Sequence, residues 1–307
     1  MNKFFRWYNQ NMIKVWFGII VIIIAFILFF KLRNMSTNNS TSNSNISNIN
    51  NGNYNSISLS SNQSAITGKS KKIDENEMGV IDKFISFCNS GNVQEAYNLI
   101  SNECKEQMYK ELNDFIEAYY KPVFANGKRT VNIENWYNNI YLVNLNEDAL
   151  ATGSFSEENS LRDYFTIVKD KEGNVKLNIN GYIGRTEYNK IHTENNLEIK
   201  VLRKDTYMDY EVYTFNVKNN SEFMTELGRI QDTENISYLL DDSNFRYDAY
   251  VHEIPQSMLD IIGKQEKIIQ IKYFNEFNSN IQIKKVVFPK VYLDYSSNNY
   301  SEIAFDL

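Results

Sequence analysis

FISFCNSGNVQEAYNLI, residues 84–100, holds two short apolar faces and the break between them. Ile81, Phe84, Ile85 and Cys88 recur at helical spacing and mark one face. Gly91-Asn92 ends that helix, and Val93, Ala96, Tyr97 and Ile100 make a second, shorter face. Upstream, Asp74, Glu75 and Glu77 suit a helix start, because carboxylates meet the positive end of the helix dipole there. Downstream, Ser101-Asn102-Glu103 reads as a stop and a new cap. A third helix is predicted over about residues 105–120, ending before Pro122 because a residue that precedes proline disfavours helical geometry.

Strand patterns follow. Residues 130–136 and 140–145 are candidates, and 149–156 is a third after the Asn146-Glu147-Asp148 turn. DYFTIVKDKEGNVKLNINGYI, residues 163–183, is the clearest hairpin. In its second arm Val175, Leu177 and Ile179 alternate with Lys176, Asn178 and Asn180, the pattern of a half-exposed strand. Residues 171–174, KEGN, supply the turn. Helices followed by a meander that ends in a hairpin predict an α+β layer fold. The opening FISFCNSGNVQEAYNLISNECKE and this closing hairpin resemble nuclear transport factor-like (cystatin-like) domains, over roughly residues 77–187 of a domain expected at 73–187. The resemblance implies a pocket between helices and sheet, which serves isomerases, dehydratases and non-catalytic binding or scaffold domains alike. The layout also resembles bitopic scaffold proteins of conjugative type IV secretion systems in Gram-positive bacteria, although the second half of the chain reads differently.

The polar stretch YNKIHTENN, residues 188–196, reads as a connection. Beyond it, residues 197–202, 210–217, 236–240, 245–251, 268–274 and 281–295 are strand-like, the last interrupted at Pro289. In IIQIKYF, residues 268–274, Ile269, Ile271 and Tyr273 share one face. Short strands at this spacing predict an all-β sandwich over residues 195–307, which resembles immunoglobulin-like domains of bacterial anchored surface proteins.

Ahead of the folded part, residues 15–30 carry no charge; residues 12–30 would span about 28 Å as a helix, close to the hydrocarbon thickness. Trp7, Tyr8 and Trp16 lie where interfacial aromatics belong. A cleavable signal peptide is disfavoured, because KLRNMSTNNS has no small-x-small site. The expectation is a cytoplasmic segment 1–12, a transmembrane anchor 13–32 in the lipid bilayer and a disordered linker 33–72, with the folded domains outside. Asn and Ser fill 21 of the 31 positions from 34 to 64, too polar to offset chain entropy. Residues 1–72 hold eight Lys or Arg and no acid, so a net charge of −6 leaves −14 on residues 73–307. That acidic balance disfavours nucleic acid as a partner.

Chemistry-bearing residues are sparse. His192 and His252 have no nucleophile at motif spacing, and no hydrolase, zinc-protease or phosphate-loop pattern occurs. Cys88 and Cys104 exclude a four-cysteine zinc site and leave a bridge between helices open. Asp241, Asp242, Ser243 and Asn244, with Asp248, offer oxygen ligands but lack the calcium-loop spacing and read as a turn. Glu117, Tyr119, Tyr120 and Asp163 are of the types an isomerase pocket needs, although in a chain with 21 Tyr no catalytic set is assigned. No catalytic, cofactor or metal residues are therefore predicted. The leading expectation is a non-enzymatic, membrane-anchored extracytoplasmic protein that contacts other envelope proteins. The alternative is a small-molecule or cell-wall-glycan sensor that uses the pocket of the first domain.

Overall fold

A computed structural model describes residues 75–147, 160–231 and 236–307. The predicted anchor 13–32, the linker 33–72 and the strand 149–156 lie outside the described residues. Among the described residues no helix is long and apolar enough to cross a membrane.

The first helix, α1 (Glu75–Asn89), buries Ile81, Phe84, Ile85 and Cys88, the face its spacing predicts. It stops at Gly91, which takes the left-handed φ of 76° that closes a helix C-terminus; Asn92 N–H then reaches back to Phe87 O at 2.9 Å. α2 (Val93–Leu99) follows, and Ser101 caps α3 (Asn102–Met108) by accepting from Cys104 N–H. The Ser101 hydroxyl also donates to Asn178 Oδ1, tying the cap to the sheet.

The third predicted helix departs from expectation in its middle and at its C-terminal end. It breaks at Tyr109 and restarts as α4 (Leu112–Phe115). It continues through a π-helical turn (Ile116–Tyr120) into α5 (Lys121–Phe124), so Pro122 lies inside the helix. In the π turn Lys121 N–H bonds Ile116 O, five residues back. The wider register accommodates the ring and the missing N–H of proline, and Lys121 stays helical at φ −61° and ψ −50°.

β1 (Arg129–Tyr137), β2 (Ile140–Glu147), β3 (Leu161–Lys169) and β4 (Val175–Asn178) form an antiparallel meander in sequence order. Phe84, Tyr109, Phe115, Tyr119 and Phe165 fill the space between it and the helices. Asn178, expected on an exposed face, is buried: its amide donates to Ile183 O while its oxygen receives Ser101. The KEGN turn is held by Asp170, which accepts from Glu172 and Asn174 N–H.

Residues 188–194 are not a connection. They belong to β5 (Tyr182–Glu194), which pairs along its length with β6 (Leu197–Tyr207). Polar side chains do not prevent a strand whose backbone is satisfied by its neighbour. Asn195 and Asn196, both at positive φ, make the tight turn between the two. β7 (Glu211–Asn219) and β12 (Glu266–Tyr273) complete a sheet in the order β12-β7-β6-β5. A second sheet runs β10-β9-β13-β14, from β9 (Tyr238–Asp241), β10 (Arg246–Asp248), β13 (Ile283–Val291) and β14 (Ser301–Asp306). Its Leu239, Val286, Phe288, Ile303 and Phe305 share a core with Ile199, Val201, Phe215, Ile269 and Ile271, an arrangement compatible with a β-sandwich. β8 (Thr225–Glu226) and β11 (Asp260–Ile261) pair separately. Pro289 does not interrupt β13: it lies at a register shift between Phe288 and Val291, where no ladder donor is needed.

Phe84 is fully buried against Phe115, Tyr119 and Phe165, whereas Ile268 projects from the outer face at 65% exposure. Phe84→Ala is expected to lose about 3–5 kcal/mol of stability in urea denaturation followed by circular dichroism. Ile268→Ala is expected to change it by less than about 0.5 kcal/mol.

Candidate functional site

The residues of isomerase type part company in the fold. Glu117 pairs with Lys121 on the surface, and Tyr120 stacks on Phe124. Tyr119 turns inward from the π turn, and its hydroxyl donates to Asp163 Oδ2 at 2.8 Å. Asp163 faces the core because it sits opposite Val143, in register with the apolar row of the first sheet. Its carboxylate also accepts from Tyr164 N–H at 2.6 Å and from Asn180 and Gly181 N–H at 3.1 Å each. Those last two donors converge because Asn180 and Gly181 both take left-handed geometry, φ 56° and 70°. A carboxylate has about four acceptor positions, and four donors occupy them. Such a group holds a turn and a helix in place; it has no lone pair aimed at a substrate.

Burial nevertheless pushes the Asp163 carboxyl up to about 6, against the lowering effect of its donors. Burial also raises the Tyr119 phenol well above its ordinary range. Cys88 and Cys104 are free and buried, their thiols pushed up to about 12 by desolvation, which makes them poor nucleophiles. His192 stacks on Phe305 with its Nε2 3.3 Å from Glu194, and His252 sits in a 3-10 turn, Val251–Glu253. Asp241 accepts from Ser243 and Phe245 N–H and from the Tyr247 hydroxyl, closing its own turn, while Asp248 pairs with Arg246. Among the described residues no group of three or more His, Cys, Asp or Glu is placed to hold a metal ion.

Two features had no signal in the sequence. The first is a buried charge network where the two cores meet. Asp205, fully buried, accepts from the Tyr182 hydroxyl and from Arg185 Nε, both at 2.8 Å, and lies 3.4 Å from Arg203 Nε. Glu106 on α3 bridges Arg185 and Arg203 at 2.7 and 3.0 Å. Hydrogen bonding from Arg185 holds the Glu106 carboxyl below its ordinary value.

The second is a pair of clefts on either side of residues 275–281. The smaller, about 350 Å³, is walled by Arg185, Lys204, Glu211 and Asn275. Glu211 there accepts from Lys204 at 2.7 Å and from Asn275 at 3.0 Å. The larger, about 760 Å³, is walled by Phe245, Tyr247, Tyr250, Phe274 and Phe277. The separating segment is anchored: Phe277 N–H donates to Met208 O, and its ring meets Trp136 and Tyr137 of β1. The clefts thus lie beside the second sheets, whereas the interior between the helices and the first sheet is filled with rings.

No protein-family model matches this chain, and no curated protein and no solved structure shows significant similarity to it.

In the unfolded chain Asp163 ionises near 3.8, and in the folded protein near 6. Between these values the folded state holds the extra proton, so this group's contribution to stability is full below pH 4 and is lost as pH rises towards 6. Thermal denaturation from pH 4 to 7 should show this decline in the wild type and a flatter profile in Asp163→Asn. Asp205→Ala leaves Arg185 and Arg203 without their shared buried partner and should cost about 3–5 kcal/mol in urea denaturation.

Proposed function

We propose that this protein is a non-enzymatic, single-pass membrane protein whose folded unit stands outside the membrane and works by protein–protein contact in a cell-envelope assembly, of the kind a conjugation or secretion scaffold provides. The anchor and tether readings of residues 13–32 and 33–72 support the location. In this reading residues 73–187 form a nuclear transport factor-like domain, supported by helices packed on one face of an antiparallel meander. Residues 195–307 form an immunoglobulin-like sandwich, supported by two antiparallel sheets around one core, one of which gains β5 (Tyr182–Glu194) as its fourth strand.

The observation that carries the non-enzymatic reading is the occupied interior. Tyr109, Phe115, Tyr119 and Phe165 are all buried where a catalytic pocket of this fold would open, and Asp163 has its acceptor positions taken. Function then rests with the outer surface, where Trp136, Ile191, Phe223, Ile262 and Ile268 are left exposed.

Cross-linking of the full-length protein in intact cells, with mass spectrometry of the adducts, is expected to give reproducible links to other membrane proteins. Added protease should digest the folded unit without cell lysis. Protection from protease until lysis would put that unit on the cytoplasmic side and end this reading.

A further inference from the structure

The larger cleft has features of a ligand site that the scaffold reading does not use. Its volume of about 760 Å³ lies within the range of ligand clefts, about 300–1,000 Å³. Phe245 is 62% exposed and Phe274 50% exposed, although neither has a polar tip to keep in water. Each ring is held by a neighbour: Phe274 stacks on Tyr250 with centroids 3.3 Å apart, and Phe245 meets Tyr247 edge-on at 5.0 Å. Tyr247 is fixed in turn by its hydrogen bond to Asp241. These are oriented apolar faces that lie open.

The rim is acidic. Asp209, Asp248 and Glu276 line the cleft against one guanidinium, Arg246, which is paired with Asp248 and lies 4.1 Å from the Tyr238 ring. Phosphate, sulfate and acidic peptides would meet repulsion there. Asn275 belongs to the wall that the two clefts share and is 4% exposed. Its Nδ2 donates to Glu211, a carboxylate that can only accept, and this fixes the amide orientation. Its Oδ1 is left as a buried acceptor with no hydrogen-bond partner among the described residues.

A matching ligand has flat apolar faces, many hydrogen-bond donors at its edge and no negative charge. A purely aromatic ligand would desolvate the three carboxylates without pairing them. A pyranose ring meets all three conditions, with C–H faces for the phenylalanines and O–H or acetamido N–H groups for the rim. We infer that the cleft bounded by Phe245, Phe274 and Asn275 binds a neutral glycan, with the two phenylalanines as stacking surfaces and the carboxylates as acceptors. The family resemblance pointed to a pocket between the helices and the first sheet for such a ligand; the open rings lie instead beside the second pair of sheets.

Calorimetric titration of the full-length protein in detergent micelles with the tetramer of N-acetylglucosamine, and with a neutral β-glucan tetramer, tests this. Saturable binding of at least one is expected, weakened about tenfold or more, ~1.4 kcal/mol, in Phe245→Ala and in Phe274→Ala. Both side chains are exposed, so the thermal midpoint should not move, and a galacturonate tetramer should not bind. The inference is overturned if neither neutral probe binds at millimolar concentration. Binding that survives both substitutions, or equal binding of galacturonate, overturns it too. Loss of protein cross-links in the phenylalanine variants without glycan binding by the wild type would make the cleft a protein-docking surface instead.

Discussion

A single extra residue in β6 lets one pair of strands serve two cores. Val201 pairs with Phe215 of β7 and Arg203 pairs with Thr214, so Leu202 is unmatched. A bulge of one residue reverses which face the following side chains take. Before it, Leu197, Ile199 and Val201 point into the sandwich-like core. After it, Arg203, Asp205 and Tyr207 point the other way, towards α3 and the rings of the first core. β5 shifts register at the same level, between Glu187 and Lys190, which keeps the ladder aligned. The turned face carries a carboxylate, and a buried carboxylate alone is too costly to keep. Arg185, Arg203 and Tyr182 compensate it, and Glu106 balances the second positive charge from α3. Such a network adds less net stability than it adds orientation, because desolvation offsets most of the attraction. What it specifies is which helix meets which strand.

That junction also decides where the surface is concave. Residues 275–281 leave β12 and cross to the first sheet, where Phe277 meets Trp136 and Tyr137. The crossing separates two clefts, one polar and one ring-lined. The first core, by contrast, is packed with aromatic side chains in edge and tilted contacts, as rings with opposed quadrupoles prefer. Its carboxylate–tyrosine pair is spent on local architecture, joining the π turn to the left-handed Asn180-Gly181 corner.

Much of the helical half was legible. The faces of α1 and α2, the glycine stop and the Ser101 cap depend on contacts within one or two turns, which local spacing records. The β3–β4 turn and the alternation of Ile269, Ile271 and Tyr273 were legible for the same reason. The course of the chain past Pro122 was not, because the π turn that admits the ring leaves no compositional mark. Residues 188–194 look like a linker because their side chains are polar, yet strand identity there comes from backbone pairing with β6. β14 went unread: its short alternation of Ile303 and Phe305 gains meaning only against β13. Of the candidate site residues, types were readable and partners were not. Asp163 and Tyr119 are 44 positions apart, and only the register of β3 brings them together.

By itself the sequence determined the faces of α1 and α2, their local stops, the alternation of β12 and the acidic balance of residues 73–307, since these follow from neighbouring side chains and from counting charge. Only the tertiary structure decided which carboxylates are buried and which rings stay in water. Asp163, Asp205 and Asp241 are alike in sequence, yet one is saturated by three backbone donors and a tyrosine hydroxyl, one is clamped by guanidiniums and one closes a turn. The physical reason is that a side chain's role is set by what faces it across the fold. Bulges, π turns and strand register set those facings, and they depend on packing between distant segments rather than on any one stretch of residues.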